Sequence, residues 1–252
     1  MRKKIIKYLL IAVAAFIIVA IAKNEFTDSP KIALKIAKQS TGFSNVNLLE
    51  KKTLVYNLYY NALIPMGKLS FSVVLDENLI HLSAQATTNN TFIENFIKAQ
   101  ASLESDVSKE SYLPLSSRER TIVSGKEKIK ETRYDFNELL AQKNDLKIKI
   151  NDDTHDPVGA FFHLLSLPYN LGESRIVKFL SDTEIYTMKA TMVSAKDSIE
   201  EFSLEIKIED LSSNKGARLH MWTTEGNDRI PLVFKGWTPV GYVCAILTKS
   251  GE

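Results

Sequence analysis

The chain contains 252 residues, of which 44% are hydrophobic and 25% are charged, and this composition excludes disordered and collagen-like proteins. Its 32 Lys and Arg residues nearly balance its 30 Asp and Glu residues, which argues against a protein that binds nucleic acid by neutralising phosphates. Because Cys244 is the single cysteine, an internal disulfide is excluded, and so is a zinc site built from cysteines alone.

The first 22 residues join a basic start to an apolar run. Four cations in the first seven residues precede Tyr8–Ala22, which contains no charge. Ala20–Ala22 has the small-x-small pattern of a secretory cleavage site, and the run is shorter than the ~20 residues that usually span a bilayer. We therefore interpret residues 1–22 as a signal peptide, with an uncleaved membrane anchor as the alternative. Under either interpretation, residues 23–252 are exported, to the periplasm or the periplasmic face of the inner membrane. These residues carry a net charge of −2.

Residues 23–53 have the composition of a linker. Within them, Pro30 is suited to begin a short helix, whose spacing gives one apolar face and one basic face. Such a helix either lies on a membrane surface or is a solvated part of the linker. The apolar face contains Ile32, Ala33, Ile36 and Ala37, and the basic face contains Lys31, Lys35 and Lys38.

Residues 54–248 are predicted to form one mainly β domain, because apolar and polar residues alternate with a period of two. The alternation is clear in 54–60, 69–75 and 202–208, and the residues at 64–67 have the composition of a turn. We count about ten strands, which is many for a flat sheet. A curved, partly closed antiparallel sheet and a two-sheet sandwich both fit this pattern.

Two short helices interrupt the strands. Thr91 can cap one that carries Phe92 and Phe96, and Asp156 can cap another that begins at Pro157. The second has Val158, Phe161, Phe162 and Leu165 at the spacing of one helical face, and Pro168 ends it. An aromatic face of this kind either belongs to an ordinary core or covers the opening of a curved sheet.

No recognised catalytic or metal-binding motif is present. The four histidines form no H-E-x-x-H pair, and the chain lacks a G-x-S-x-G elbow, a P-loop and a G-x-G-x-x-G fingerprint. The segment 151–156 has enough oxygen and imidazole ligands for a divalent cation, but a solvated turn that ends in a helix cap explains it better. We therefore expect a protein that is not an enzyme, with no catalytic, cofactor-binding or metal-binding residues.

Short motifs in a fixed order resemble the exported bacterial domain-of-unknown-function family 3108. The resemblance covers most of residues 54–247, and one departure is His163, where an arginine is expected. The matching segments are Leu54–Tyr60, Met66–Ser70, Leu113–Pro114, Tyr134–Phe136, Asp156–Phe162, Met221–Trp222 and Arg229–Leu232.

The resemblance implies a fold similar to that of the lipoprotein-localisation carriers, an open half-barrel with helices over its concave face. It implies no activity. If the fold holds, the domain is expected to bind a lipid or another apolar molecule in a cavity; the alternative is a structural or interaction module with a filled core. No nucleic acid is expected as a partner. The expected lining residues are Leu58, Tyr60, Phe71, Val73, Phe92, Phe96, Phe161 and Phe162.

Overall fold

The computed structural model describes residues 52–61, 64–88, 99–209, 216–226, 229–238 and 241–251. The predicted signal peptide or anchor, almost all of the linker and the predicted helix with Phe92 and Phe96 lie outside these residues. Within the described ranges, no helix is both long enough and apolar enough to cross a membrane.

Within the described ranges, fifteen strands form a single sheet, and all neighbouring strands are antiparallel except β9 and β10. Its order is β8-β7-β6-β5-β4-β3-β2-β1-β15-β14-β13-β12-β11-β10-β9. The strands are β1 (Lys52–Tyr60), β2 (Ile64–Leu75), β3 (Leu79–Thr88), β4 (Ala99–Ser108), β5 (Pro114–Val123), β6 (Lys126–Asp135), β7 (Leu140–Lys143), β8 (Leu146–Lys149), β9 (Thr154–His155), β10 (Ser174–Ser181), β11 (Glu184–Lys196), β12 (Ile199–Ile208), β13 (Gly216–Thr224), β14 (Pro231–Thr238) and β15 (Gly241–Gly251).

The predictions of a mainly β fold and of one open antiparallel sheet are confirmed, but the predicted number of about ten strands is wrong. Strands such as β5 and β6 lack apolar alternation because several of their buried positions are polar, including Ser117 and Thr132. The predicted turn at 64–67 is also wrong, since these residues begin β2. Pro65 pairs with Tyr59 beside an irregularity in register, a place where a strand tolerates proline.

The sheet curls because its two edge strands are consecutive in the chain. Residues 150–153 alone separate β8 from β9, and four residues span no more than about 15 Å. Side chains bridge the seam between these edges. Lys130 on β6 lies 2.7 Å from Asp182 in the β10–β11 turn, and a small apolar cluster joins Tyr134, Ile150 and Leu180.

One helix, α1 (Pro157–Ser166), lies among the described residues and has the predicted cap. The side chain of Asp156 accepts hydrogen bonds from the main-chain amides of Val158 and Gly159, at 2.9 and 3.1 Å. The helix packs against β3, β4, β9 and β10 and buries Phe161, Leu164 and Leu165. It therefore covers part of the concave face of the sheet, which we call the inner face.

Candidate functional site: the helix and the aromatic face beneath it

Most of the expected lining residues lie together on the inner face. Leu58, Phe71, Val73 and Phe161 are buried, whereas Tyr60 and Phe162 are partly buried. The two remaining residues, Phe92 and Phe96, lie outside the described residues. The alternation of β1 and β2 places the strand residues on one face, as the sequence predicts.

Aromatic rings pack against one another between α1 and the sheet. The Phe71 ring stacks on Phe161 with 5.5 Å between centroids, and meets Phe162 edge-on at 6.2 Å. Tyr56 and Phe234 complete the cluster, at 5.7 and 6.2 Å from Phe71. Offset and edge-on contacts of this kind stabilise a core beyond the area they bury. The expected lining residues thus fill much of the space beneath the helix.

A very small cavity remains at the inner side of α1. Its volume is about 10 Å³, close to the minimum for one water molecule. Its walls are mostly apolar and include one charged side chain. They consist of Phe161, Leu164, Leu165, Tyr169, Ala190, Phe202, Leu204, Met221 and Arg229.

The amino-terminal end of α1 is attached to β4 through a buried carboxylate. Asp156 is fully buried, and the Ser105 hydroxyl donates to its second oxygen at 2.6 Å. Burial raises the pKa of Asp156, while hydrogen bonds from Ser105 and from main-chain amides to the carboxylate act against that shift. A Cβ on Gly159 would lie 2.7 Å from the same carboxylate, so a glycine keeps this end of the helix close to its cap.

The carboxyl-terminal end of α1 is held by Arg229, between β13 and β14. Its guanidinium donates to the main-chain carbonyl of Leu167 at 2.8 Å and forms a buried ion pair with Glu200 of β12. The same group lies over the rings of Tyr169 and Phe202, 5.2 and 5.7 Å from their centroids. The sequence did not reveal this role, although Arg229 is part of a motif that supported the family resemblance.

Two imidazoles stack beside the helix cap. His155 on β9 and His163 on α1 have ring centroids 4.8 Å apart, and both Nδ1 atoms are buried without a hydrogen-bond partner. Burial, with a smaller contribution from His163, lowers the pKa of His155 to about 4. Across the described ranges, no three His, Cys, Asp or Glu side chains are arranged to hold a metal ion. Position 163, where the family resemblance implied an arginine, therefore contributes a partly buried imidazole that stacks on the buried ring of His155.

A second concave region lies on the opposite, outer face of β4, β5 and β6. This groove has a volume of about 260 Å³ and is polar. Many of its charges already have partners, because Asp106 accepts from His81 and Ser116, and Arg118 lies 3.6 Å from Glu131. The sequence does not indicate this groove, since alternating charges on a strand predict only a solvated face.

A protein-family model matches most of the described domain. The family described as a protein of unknown function, DUF3108, matches residues 55–248. No curated protein has significant sequence similarity to the chain. The match confirms the resemblance found in the sequence motifs and spans β1 to most of β15.

Solved structures with a similar shape have little sequence identity to this chain. A β-barrel-like protein of the domain-of-unknown-function family DUF1849 from Brucella abortus has a TM-score of 0.54 at 10% identity, covering 80% of this chain and 97% of its own. A "putative lipoprotein" from Parabacteroides distasonis has a TM-score of 0.32 at 8% identity, covering 80% of this chain and 95% of its own. The first supports a barrel-like fold; the second is too distant to carry an argument.

Proposed function

The chain belongs to the DUF3108 family of proteins of unknown function, and from this premise we propose that it is a non-enzymatic interaction module of the cell envelope with a filled core. The exported location rests on residues 1–22. The role as a module without a small ligand rests on the packing at the inner face of the sheet. A fold of this kind would be expected to hold a small molecule there.

The observation that carries this proposal is the volume left beneath α1. Pockets that hold small molecules usually measure about 300–1,000 Å³. The cavity at the helix has only about 10 Å³, because Phe71, Phe161 and Phe234 occupy the space between helix and sheet. An acyl chain would have to displace these rings.

Displacing α1 would also break buried polar contacts at both of its ends. The Asp156–Ser105 hydrogen bond holds one end, and the Arg229–Glu200 pair with the Leu167 carbonyl holds the other. Moving the helix away would leave the buried guanidinium without the Leu167 carbonyl, and an unsatisfied buried polar group costs about 1–3 kcal/mol, or more when it is charged. These contacts favour a helix that is a fixed part of the core over one that opens readily.

Crosslinking in intact cells, followed by mass spectrometry, tests the proposal. We expect crosslinks between surface lysines such as Lys189 or Lys207 and a recurring envelope protein. The matched control is a chain in which the cluster is disrupted by Phe71→Asp, which should lose those crosslinks together with its fold. Crosslinks to no protein, together with a lipid recovered from the purified chain, would contradict the proposal.

A second candidate function is the binding of a lipid or other apolar molecule at the inner face. One observation favours it: four of the expected lining residues, Leu58, Phe71, Val73 and Phe161, are buried on the face that α1 covers. Each buried methylene of a ligand would contribute about 0.8 kcal/mol. Uptake of a fluorescent fatty acid that Phe161→Asp reduces, while the melting temperature is retained, would favour this candidate.

A further inference from the structure

The groove on the outer face of β4, β5 and β6 lies between two rows of cross-strand side chains. Ser105 points inward to the helix cap, so its neighbours Glu104 and Asp106 point outward. Each of these two begins a row, because cross-strand partners share one face of the sheet. The first row contains Glu104, Arg118 and Glu131, and the second contains Asp106, Ser116 and Arg133. All six residues line the groove, whose volume is about 260 Å³.

Four of the six groove residues already have polar partners. In the first row, Arg118 on β5 lies 3.6 Å from Glu131 on β6. In the second row, the Asp106 carboxylate accepts from His81 at 2.7 Å and from the Ser116 hydroxyl at 2.8 Å. These groups are satisfied within the protein and have little to gain from a ligand.

The remaining two groove residues, Glu104 and Arg133, carry opposite charges and stand at diagonal corners of the groove. Both side chains are exposed, and among the described residues neither has an ion pair or a side-chain hydrogen bond. They lie on β4 and β6, with β5 between them, and their rows are two residues apart along the strands. Two strand spacings and a two-residue offset put their Cα atoms roughly 12 Å apart. That separation leaves room for a ligand that contacts both.

We propose that the groove is the docking surface for an extended segment of a partner protein, with a cationic and an acidic side chain two residues apart. The cation pairs with Glu104, and the carboxylate pairs with Arg133, whose planar guanidinium can hold a carboxylate through two parallel hydrogen bonds. In an extended segment, side chains two residues apart point to the same side and are about 7 Å from each other, so both can face the groove. This inference rests on the proposed function and names the chemistry of its partner.

Charge complementarity favours a segment with both signs over one with a single sign. A wholly acidic segment would bring a carboxylate to Glu104, and a wholly basic one would bring a cation to Arg133. In both cases like charges repel each other at short range. An apolar segment would remove water from both groups without replacing it by a polar contact. A segment of mixed charge is therefore the occupant that suits the groove.

Three peptides of equal length test the proposal, each acetylated and amidated so that its ends carry no charge. Their sequences are Gly-Lys-Gly-Glu-Gly, Gly-Lys-Gly-Lys-Gly and Gly-Glu-Gly-Glu-Gly. NMR titration of the full chain at low salt, where exposed charges are least screened, measures each dissociation constant. We expect the mixed peptide to bind about fivefold more tightly than the other two, the upper end of what one exposed ion pair contributes. The amide signals that move should belong to β4, β5 and β6.

Charge reversal at either corner of the groove should switch the preferred peptide. Arg133→Glu makes both corners acidic and should favour the two-lysine peptide, whereas Glu104→Lys makes both basic and should favour the two-glutamate peptide. The matched control, Lys189→Glu, reverses an exposed cation on the outer face of β11 and should keep the preference for the mixed peptide. Misfolding cannot explain such a switch, because each groove variant gains affinity for a different peptide.

Equal affinity of the unmodified chain for all three peptides, or binding of none, would overturn the proposal. A preference that Arg133→Glu and Glu104→Lys both leave unchanged would overturn it as well. Crosslinking in intact cells distinguishes this failure from failure of the proposed function. Crosslinks to a recurring envelope protein that persist in both groove variants would leave the proposed function standing and would remove the groove as its docking surface.

Discussion

The guanidinium of Arg229 donates to the main-chain carbonyl of Leu167 at 2.8 Å, and this contact joins the β13–β14 connection to the end of α1. The two residues are 62 positions apart in the chain. Arg229 also pairs with Glu200, so one side chain joins the helix to two strands. With the Asp156 cap at the other end, this arrangement fixes the helix over the aromatic cluster.

Replacing Arg229 should be among the most destabilising single changes on the inner face. Arg229→Met leaves the Glu200 carboxylate buried without its partner, and we expect the free energy of unfolding to fall by about 3–5 kcal/mol. Urea denaturation measures this loss. The double variant Arg229→Met with Glu200→Met should recover a large part of it. A single variant that loses less than about 1 kcal/mol would show that the pair does not hold the helix.

Two adjacent phenylalanines of the aromatic cluster should differ in how much unfolding free energy is lost when each is replaced by alanine. Phe161 is 4% exposed and stacks on Phe71, whereas Phe162 is only partly buried. We expect Phe161→Ala to cost about 3–5 kcal/mol and Phe162→Ala distinctly less, since a fully buried ring leaves the larger cavity. Thermal and urea unfolding of both variants provide the comparison. Equal losses would place the two rings in equivalent surroundings, contrary to the structure.

Replacement by alanine should cost much more stability at one strand glycine than at another. A Cβ on Gly67 would lie 1.9 Å from the main-chain oxygen of Thr87, whereas the nearest atom to a Cβ on Gly236 is 3.9 Å away. Gly67→Ala must therefore shift the β2–β3 pairing, and we expect a loss of about 2 kcal/mol or more. Gly236→Ala, the matched control, should change stability by less than about 1 kcal/mol. Comparable melting temperatures for the two variants would contradict this expectation.

Because His155 is buried as a neutral ring, we expect the folded protein to lose stability in acid. The folded protein lowers the pKa of His155 to about 4 from 6.5, so between these values the unfolded chain binds more protons than the folded one. Stability from this group is full above about pH 6.5 and is lost as the pH falls towards 4, by roughly 3 kcal/mol in total.

His155→Phe keeps an aromatic ring beside His163 and removes this titration. The difference in unfolding free energy between the two proteins, measured from pH 7.5 to 4, should therefore change with pH. The raised pKa of Asp156 acts in the opposite direction but is common to both proteins, so it does not affect the comparison. A difference that is constant with pH would show that His155 is not buried as a neutral ring.

The sequence predicted those parts of the fold in which local patterns and tertiary environment agree. Asp156 and Pro157 mark the start of α1 because capping and helix geometry are local properties, and the inner face of β1 and β2 follows from alternation. The strands β5 and β6 were missed because buried serine and threonine replace the apolar residues that mark a strand.

Contacts between distant residues could not be read from the sequence. Glu200 and Arg229 are 29 positions apart and look like ordinary charges on or beside strands; only the folded sheet brings them together beneath α1. The volume of the space beneath the helix also depends on contacts between distant residues. Aromatic residues with suitable spacing predict either a cavity or a filled core. The packing of Phe71, Phe161 and Phe234 is the contact between distant residues that supports the second.

Native mass spectrometry of the protein, purified from the envelope in a mild detergent, tests most directly whether the core is filled. A cavity of about 10 Å³ cannot accept an acyl chain, so we expect the mass of the polypeptide alone. Phe161→Ala enlarges that space and should be the variant in which an apolar adduct first appears. A lipid that accompanies the unmodified chain at one-to-one stoichiometry would contradict the account.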